Sequence, residues 1–418
     1  MESATLNWIE KAKVTPDETT IAKGWTPVDP ARRGVHHRTC RENAGRTKAE
    51  TMKEIDGIDN NTEQSQETTE APAVISRADL GRVHELASQL MEALQQVQDG
   101  DLVGEIVANA LKLLRDQTNR GDIKLIDKSF KELRYALKVF APYRDVRKVS
   151  LFGSARTLES HADYTQAAEF ARKMAGDGWM VITGAGGGIM AAGHGGAGAE
   201  PSFGLAIRLP FEQLTNAFIA NDPKLINFKY FFTRKLIFVR SSNAIALFPG
   251  GFGTMDEGFE VLTLVQTGKS VPMPIVFVDS PGSNYWGKWQ DYVEKQLLAR
   301  SLISQNDLRL YKITSSVDEA VHEVQHFYSN YHSLRYVRDE LVLRLQRGPN
   351  PEQLAEIQRR FGDIVVRGSF RTSGALPVEA SEPTLATLPR LIFAFNRRDH
   401  GKLRMLIDYL NDLPALGG

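Results

Sequence analysis

The sequence predicts an α/β protein, a doubly wound parallel sheet with helical N- and C-terminal extensions. Two observations carry that expectation. Between about residues 148 and 330, short apolar segments alternate with helix-like segments, the pattern of βαβ units with helices on both sheet faces. The flanking stretches lack such strands and keep helical spacing instead.

In order, residues 1–72 read as a poorly ordered arm, with the polar, low-complexity run Asp59 to Glu70 inside it. His36, His37 and Cys40 lie in this arm, too few and too loosely set to predict a metal site. Residues 73–145 predict a small α-helical domain. Leu80, Val83, Leu86, Leu90, Leu94 and Val97 recur at helical spacing, as do Val103, Ile106, Leu111 and Leu114, and then Phe130, Leu133, Leu137 and Phe140. Stripes of this kind are expected to be core. Residues 146–333 hold the strand candidates Val149–Phe152, Trp179–Thr183, Gly204–Ile207, Ala244–Phe248, Pro274–Val278 and Tyr311–Ile313. Residues 334–418 predict a charged, C-terminal helical region, with a linker from Ser373 to Pro383 and a closing amphipathic segment from Leu385 to Leu410.

Composition narrows the function classes. The 418 residues are 42% hydrophobic, enough for a sizeable core, and carry 51 basic and 51 acidic side chains. This balance gives no reason to expect a nucleic-acid or membrane surface. Cys40 is the one cysteine, so no intrachain disulfide or CxxC metal site is expected. With no apolar run near bilayer length and no basic-then-apolar start, a cytoplasmic protein is expected.

Chemistry concentrates in glycine-rich turns at strand ends. The run Pro249-Gly250-Gly251-Phe252-Gly253-Thr254-Met255-Asp256-Glu257 follows an apolar strand and opens an amphipathic helix. Glycines let backbone N–H groups approach an anion, and a helix start adds partial positive charge. A phosphorylated small molecule fits that pattern, with Gly251, Gly253 and Thr254 as backbone donors. Two further turns, Gly153-Ser154-Ala155-Arg156 and Gly184-Ala185-Gly186-Gly187-Gly188-Ile189-Met190, also end strands and should converge on the same crevice. The second lacks the G-x-G-x-x-G spacing of a dinucleotide site. Between the turns, Phe228 to Phe232 offer stacking surface, and Arg234-Lys235 bring charge into an apolar segment. Glu257 has two readings from spacing alone. It is a candidate catalytic carboxylate, and Thr254-x-x-Glu257 is also the spacing of a capping box; Asp256 is the fallback carboxylate.

The ordered set Phe152-Gly153-Ser154-Ala155-Arg156, Gly186-Gly187-Gly188-Ile189-Met190, Arg234-Lys235 and Pro249 to Glu257 resembles the LOG (Lonely Guy) family over about residues 146–330. Its members are cytokinin riboside 5′-monophosphate phosphoribohydrolases, formerly mislabelled lysine decarboxylases. The long flanks look more like the bacterial nucleotide 5′-monophosphate nucleosidases of the same superfamily. The resemblance implies a Rossmann-like catalytic domain. It implies cleavage of the N-glycosidic bond of a purine nucleoside 5′-monophosphate, such as AMP or a cytokinin nucleotide, to free base and ribose 5-phosphate. It implies Arg234 and Glu257 as the catalytic pair. Substrate contacts fall to Gly153, Ser154, Gly187, Gly188, Met190, Lys235, Gly250, Gly251, Phe252, Gly253, Thr254 and Asp256. It implies no cofactor or metal, and a homodimer or larger homo-oligomer. A non-catalytic nucleotide or molybdenum-cofactor carrier on the same fold is the alternative, against which the presence of both Arg234 and Glu257 counts.

One motif points elsewhere. His322-Glu323-Val324-Gln325-His326 matches the zinc-hydrolase H-E-x-x-H pattern, with His332 placed as a third ligand. Ser329 stands where that pattern needs glycine, and Val321, Val324, Phe327 and Tyr328 predict an ordinary amphipathic helix.

Overall fold

The computed structural model describes residues 77–208 and 215–414. The arm expected at residues 1–72, with His36, His37 and Cys40, lies outside the described residues. The unit Arg82–Gly418 contains everything below except the first residues of α1. No helix among the described residues is long and apolar enough to cross a membrane.

Three helices come first: α1 (Arg77–Leu94), α2 (Gly100–Arg115) and α3 (Arg120–Phe140). The Asn119 side chain caps α3 by accepting from the Asp122 N–H at 3.0 Å. The apolar stripes expected to be core are corrected here. Leu86, Leu90, Val97, Val103, Phe130 and Leu137 are exposed; of the α3 stripe, Phe140 is buried and Leu133 packs on the core as expected, and α3 also buries Glu132 and Ala136. The reason is that α3 packs on the sheet through that face, with Phe140 stacked on Phe203 at 4.3 Å between centroids.

The sheet domain then runs β1 (Lys148–Phe152), α4 (Ala162–Gly176), β2 (Met180–Thr183), α5 (Ile189–Ala197), β3 (Ser202–Ile207), β4 (Leu225–Phe228), α6 (Phe231–Ser241), β5 (Ala244–Leu247), α7 (Phe252–Gln266), β6 (Ile275–Val278), α8 (Tyr285–Tyr292), β7 (Lys312–Thr314) and α9 (Val317–His326). The seven strands form one parallel sheet in the order β4-β3-β2-β1-β5-β6-β7. Strands buried on both faces sort their side chains by period two. In β5, Ile245 and Leu247 join Phe203, Phe238 and Phe277 in one apolar layer. Ala244 and Ala246, with Phe248 just beyond, join Phe170 and Met174 in the other. Sequence reading missed β4, because Leu225–Phe228 adjoins the aromatic cluster and is too short for its own pattern.

The region after residue 333, expected to be helical, is corrected by the structure. It is a second, antiparallel sheet in the order β10-β11-β9-β8 covered by two helices. Its elements are β8 (Tyr331–Val337), β9 (Glu340–Leu345), α10 (Pro351–Phe361), β10 (Arg371–Ser373), β11 (Arg390–Phe393) and α11 (His400–Asp412). Charged residues hid the strand pattern because two of them point inward. Arg344 and Arg390 face each other across β9 and β11, both buried. Glu379, from the stretch expected to be a linker, pairs with both: Arg344 Nε lies 2.8 Å and Arg390 Nε 3.0 Å from its carboxylate, and Glu382 also pairs with Arg344. Burial alone would raise the Glu379 pKa. The Leu376 N–H and the two guanidinium groups outweigh burial and hold it at about 2.

Glu379→Ala should therefore destabilise the fold by about 3–5 kcal/mol in urea melts, because it leaves buried Arg390 without a carboxylate and Arg344 with Glu382 alone. In the wild type, the stability Glu379 supplies should be complete above its ordinary 4.5 and be lost as pH falls toward about 2.

Candidate active site

The order of the parallel sheet reverses between β1 and β5, so their carboxyl ends diverge and open a crevice. The backbone of Ser154, just after β1, ties the surrounding turns together. The Ser154 N–H donates to the Pro249 carbonyl at 3.1 Å, and the Ser154 carbonyl accepts from the Ile189 N–H at 3.0 Å. Two glycines make this closeness possible. Gly188 has φ +59°, and a Cβ there would lie 2.2 Å from the Ser154 carbonyl oxygen. A Cβ at Gly250 would lie 2.1 Å from the Thr254 hydroxyl.

The crevice is a cavity of about 750 Å³. The first turn lines it with Gly153, Ser154 and Arg156, the second with Gly184 and Met190, and the third with Gly250 to Met255. Arg234 and Glu257 complete the wall. Helix α7 starts against this cavity. Its N-cap is Gly251, with no side-chain cap, so first-turn N–H groups sit at the positive end of the helix beside the cavity. This start also removes the capping-box reading of Glu257. With Gly251 as N-cap, Thr254 is already inside the helix, and Glu257 is one turn too deep to complete a capping box.

Arg234 on α6 and Glu257 on α7 face each other at 4.0 Å between Nη2 and Oε1, with side chains 13% and 6% exposed. Lys235 Nζ lies 3.9 Å from the other carboxylate oxygen. The Nε of Arg234 and Oε2 of Glu257 are buried without a hydrogen-bond partner. At such distances the cations do not offset the loss of water. Burial pushes the Glu257 carboxyl up to about 7, against the pull of Lys235 and Arg234. The Arg234 guanidinium lies over the rings of Phe231 and Phe238, with centroids 5.1 and 5.7 Å away.

Four expected contact residues lie elsewhere. Lys235 binds Asp256 and Glu260, each at 2.7 Å, and neither Lys235 nor Asp256 reaches the cavity wall. The positions are dictated by the helix, since Glu257 and Asp256 are adjacent residues and point about 100° apart. Gly187 and Gly188 pack beneath the wall against Ala155 and Ser154.

Sequence reasoning missed Tyr285, whose hydroxyl donates to the Gly250 carbonyl at 2.5 Å and which lines the cavity. The signal was available, because Tyr285 follows β6, the strand beside β5 at the switch point. It also missed the support under the second turn. The Asn216 amide donates to the Gly186 carbonyl at 3.0 Å and to buried His194 at 3.1 Å, and its backbone N–H donates to the Ala185 carbonyl. Nothing local in the sequence links these positions.

The H-E-x-x-H segment is helix α9, with Val321, Val324 and Phe327 buried as expected. Glu323 is occupied by Arg404 and Lys312, and His326 pairs with Asp412 at 3.0 Å. The Arg404 and Asp412 contacts join α9 to α11.

Residues 186–324 match the family model described as "Possible lysine decarboxylase". The matched segment lies within the sheet domain, where the chain's ordered motifs resemble those of the LOG family. No curated protein matches the chain. Solved structures similar to part of this chain include a structural-genomics target titled TM1055, at 20% identity over 43% of this chain and 99% of that chain, TM-score 0.31. A molybdenum cofactor binding protein from the phototrophic bacterium Rippkaea orientalis matches at 19% over 43% and 94%, TM-score 0.30. A Moco carrier protein from Chlamydomonas reinhardtii matches at 20% over 43% and 96%, TM-score 0.31. Likeness this distant says nothing about activity.

Because Glu257 binds its proton more tightly folded than unfolded, its ionisation should erode stability as pH rises from 4.5 to about 7. Glu257→Gln should remove that loss, a gain of up to about 3 kcal/mol above pH 7. Denaturant melts of both proteins at pH 5 and 8 measure it.

Proposed function

We propose that this LOG domain hydrolyses the N-glycosidic bond of a purine nucleoside 5′-monophosphate, such as AMP or a cytokinin riboside monophosphate. The observation that carries the reading is the buried Arg234–Glu257 pair, with an unpartnered polar atom on each side chain, set on the wall of a cavity beside the open N-terminus of α7. The first-turn N–H groups of α7 suit a phosphate, with Gly251, Gly253 and Thr254 on the same wall. Phe231, Phe238 and Met190 supply apolar surface for a base.

The chemistry follows from the charges. The C1′–N bond breaks with its electron pair leaving on the base, and positive charge builds on the ribose ring. Ionised Glu257 stabilises that charge and takes a proton from the attacking water. The water oxygen bonds to C1′, and the proton passes to the departing base. Arg234 binds the anionic end of the substrate and holds it beside the carboxylate. Phosphate binding away from the reacting bond supplies positioning energy. Lys235 serves this site indirectly, by orienting the Asp256 to Glu260 turn.

The reading includes a cytoplasmic homo-oligomer. Phe252, at the cavity rim, is 96% exposed, and Phe231, Phe232 and Leu236 of α6 are also exposed. A second copy seated on this face would cover them and enclose the site.

Free base and ribose 5-phosphate should appear when the wild-type chain is incubated with AMP or cytokinin monophosphates. Glu257→Gln and Arg234→Ala should each lose on the order of 10²-fold or more in kcat/KM. The wild-type rate should rise with pH through about 7, and the Glu257→Gln rate should not. Nucleotide binding without base release from any monophosphate would favour the carrier alternative. Phe252→Asp should lower the oligomeric mass in sedimentation, and an unchanged mass would remove the α6–α7 face as the contact.

A further inference from the structure

We propose that Glu132, in the N-terminal helical region, is a positioning residue for Arg234 and Lys235, resting on the reading of that pair as functional. Helix α6 carries both residues, yet its N-cap, Tyr230, makes no side-chain cap and its first turn has no acidic residue. Glu132 of α3 supplies both from outside. Its carboxylate is 3% exposed. One oxygen accepts from the Lys229 N–H at 2.8 Å, and the other accepts from the Thr233 hydroxyl at 2.7 Å. Lys229 precedes the N-cap, and Thr233 immediately precedes Arg234. A negative group therefore sits at the positive end of α6 and grips the residue next to the functional arginine.

The grip is rigid because α3 is fixed on the sheet. Ala136, one turn after Glu132, is fully buried, and Phe140, two turns on, is stacked on Phe203. Tyr143 meets the same ring edge-on at 5.2 Å. Lys128, the other charge near Glu132, is 3.9 Å away and 42% exposed, so the α6 start is the partner that matters. Without the carboxylate the first turn of α6 loses its cap. Phe231, which packs under the Arg234 guanidinium, lies in that turn. The helical region is thus part of the site's scaffold, although it contributes nothing to the cavity wall.

The test uses the full-length protein with Glu132→Ala, Glu132→Gln and Arg234→Ala, alone and combined. Base release gives kcat and KM, and calorimetry with ribose 5-phosphate gives binding without catalysis. Glu132→Ala should lower kcat/KM about tenfold, and Glu132→Gln, which keeps an acceptor, should recover most of the loss. In the Arg234→Ala background, Glu132→Ala should add under about twofold. An equal loss in both backgrounds, or wild-type kinetics in a folded Glu132→Ala protein, would overturn the proposal. If wild type releases no base, the nucleosidase reading fails and the same cycle is run on ribose 5-phosphate binding. Hydrogen exchange at amides 231–235 needs no ligand; protection there should fall in Glu132→Ala and fall less in Glu132→Gln. Unchanged protection in Glu132→Gln and Glu132→Ala would also overturn the proposal.

Discussion

The candidate site depends on the backbone of one residue. Ser154 lies where the sheet order reverses, and its N–H and carbonyl bind the turns that follow β5 and β2. Those two bonds bring three strand ends within reach of one small molecule. They also explain the glycines. Gly188 and Gly250 leave room for backbone to approach backbone, whereas Gly251 and Gly253 have open space around them and leave the start of α7 uncovered. The same word in the sequence, glycine, therefore serves two physical ends a few residues apart.

Two buried glutamates show how little burial alone decides. Glu257 and Glu379 are 5% and 3% exposed, and each has two basic side chains nearby. Glu379 receives hydrogen bonds at 2.8–3.0 Å from two guanidinium groups and a backbone N–H, and its pKa falls to about 2. Glu257 has its cations at 3.9–4.0 Å with no hydrogen bond to Oε2, and its pKa rises to about 7. The difference is directional contact, which falls away within an ångström of ideal length. A tightly bonded carboxylate holds a fold together. A loosely bonded one in a cavity keeps its proton near neutrality and is available for chemistry.

The flanking regions are attached to the sheet domain by the same kind of contact. Glu132 reaches from α3 to the start of α6, and Arg404 reaches from α11 to Glu323 on α9. His400 at the start of α11 packs on Gly268, just past the end of α7 whose first turn borders the cavity. Each extension thus touches a helix of the sheet domain through a buried polar side chain.

The sequence by itself determined the parallel sheet, because six short apolar segments alternating with helices admit few other arrangements. It also determined the three glycine turns and the Arg234–Glu257 candidates, since those signals are local and ordered along the chain. It could not determine which neighbours of the glycine run face the cavity. Asp256 and Glu257 are adjacent and chemically alike, and only the phase of α7, fixed by Gly251 as its N-cap, sends Glu257 inward and Asp256 to Lys235. It misread the C-terminal sheet because Arg344 and Arg390 break the apolar alternation, and their partner Glu379 is 35 and 11 residues away in the chain. Asn216 and Glu132 were invisible, and Tyr285 was signalled only by its place after β6. Each acts through a hydrogen bond across at least thirty residues, and such a partner is chosen by packing in three dimensions.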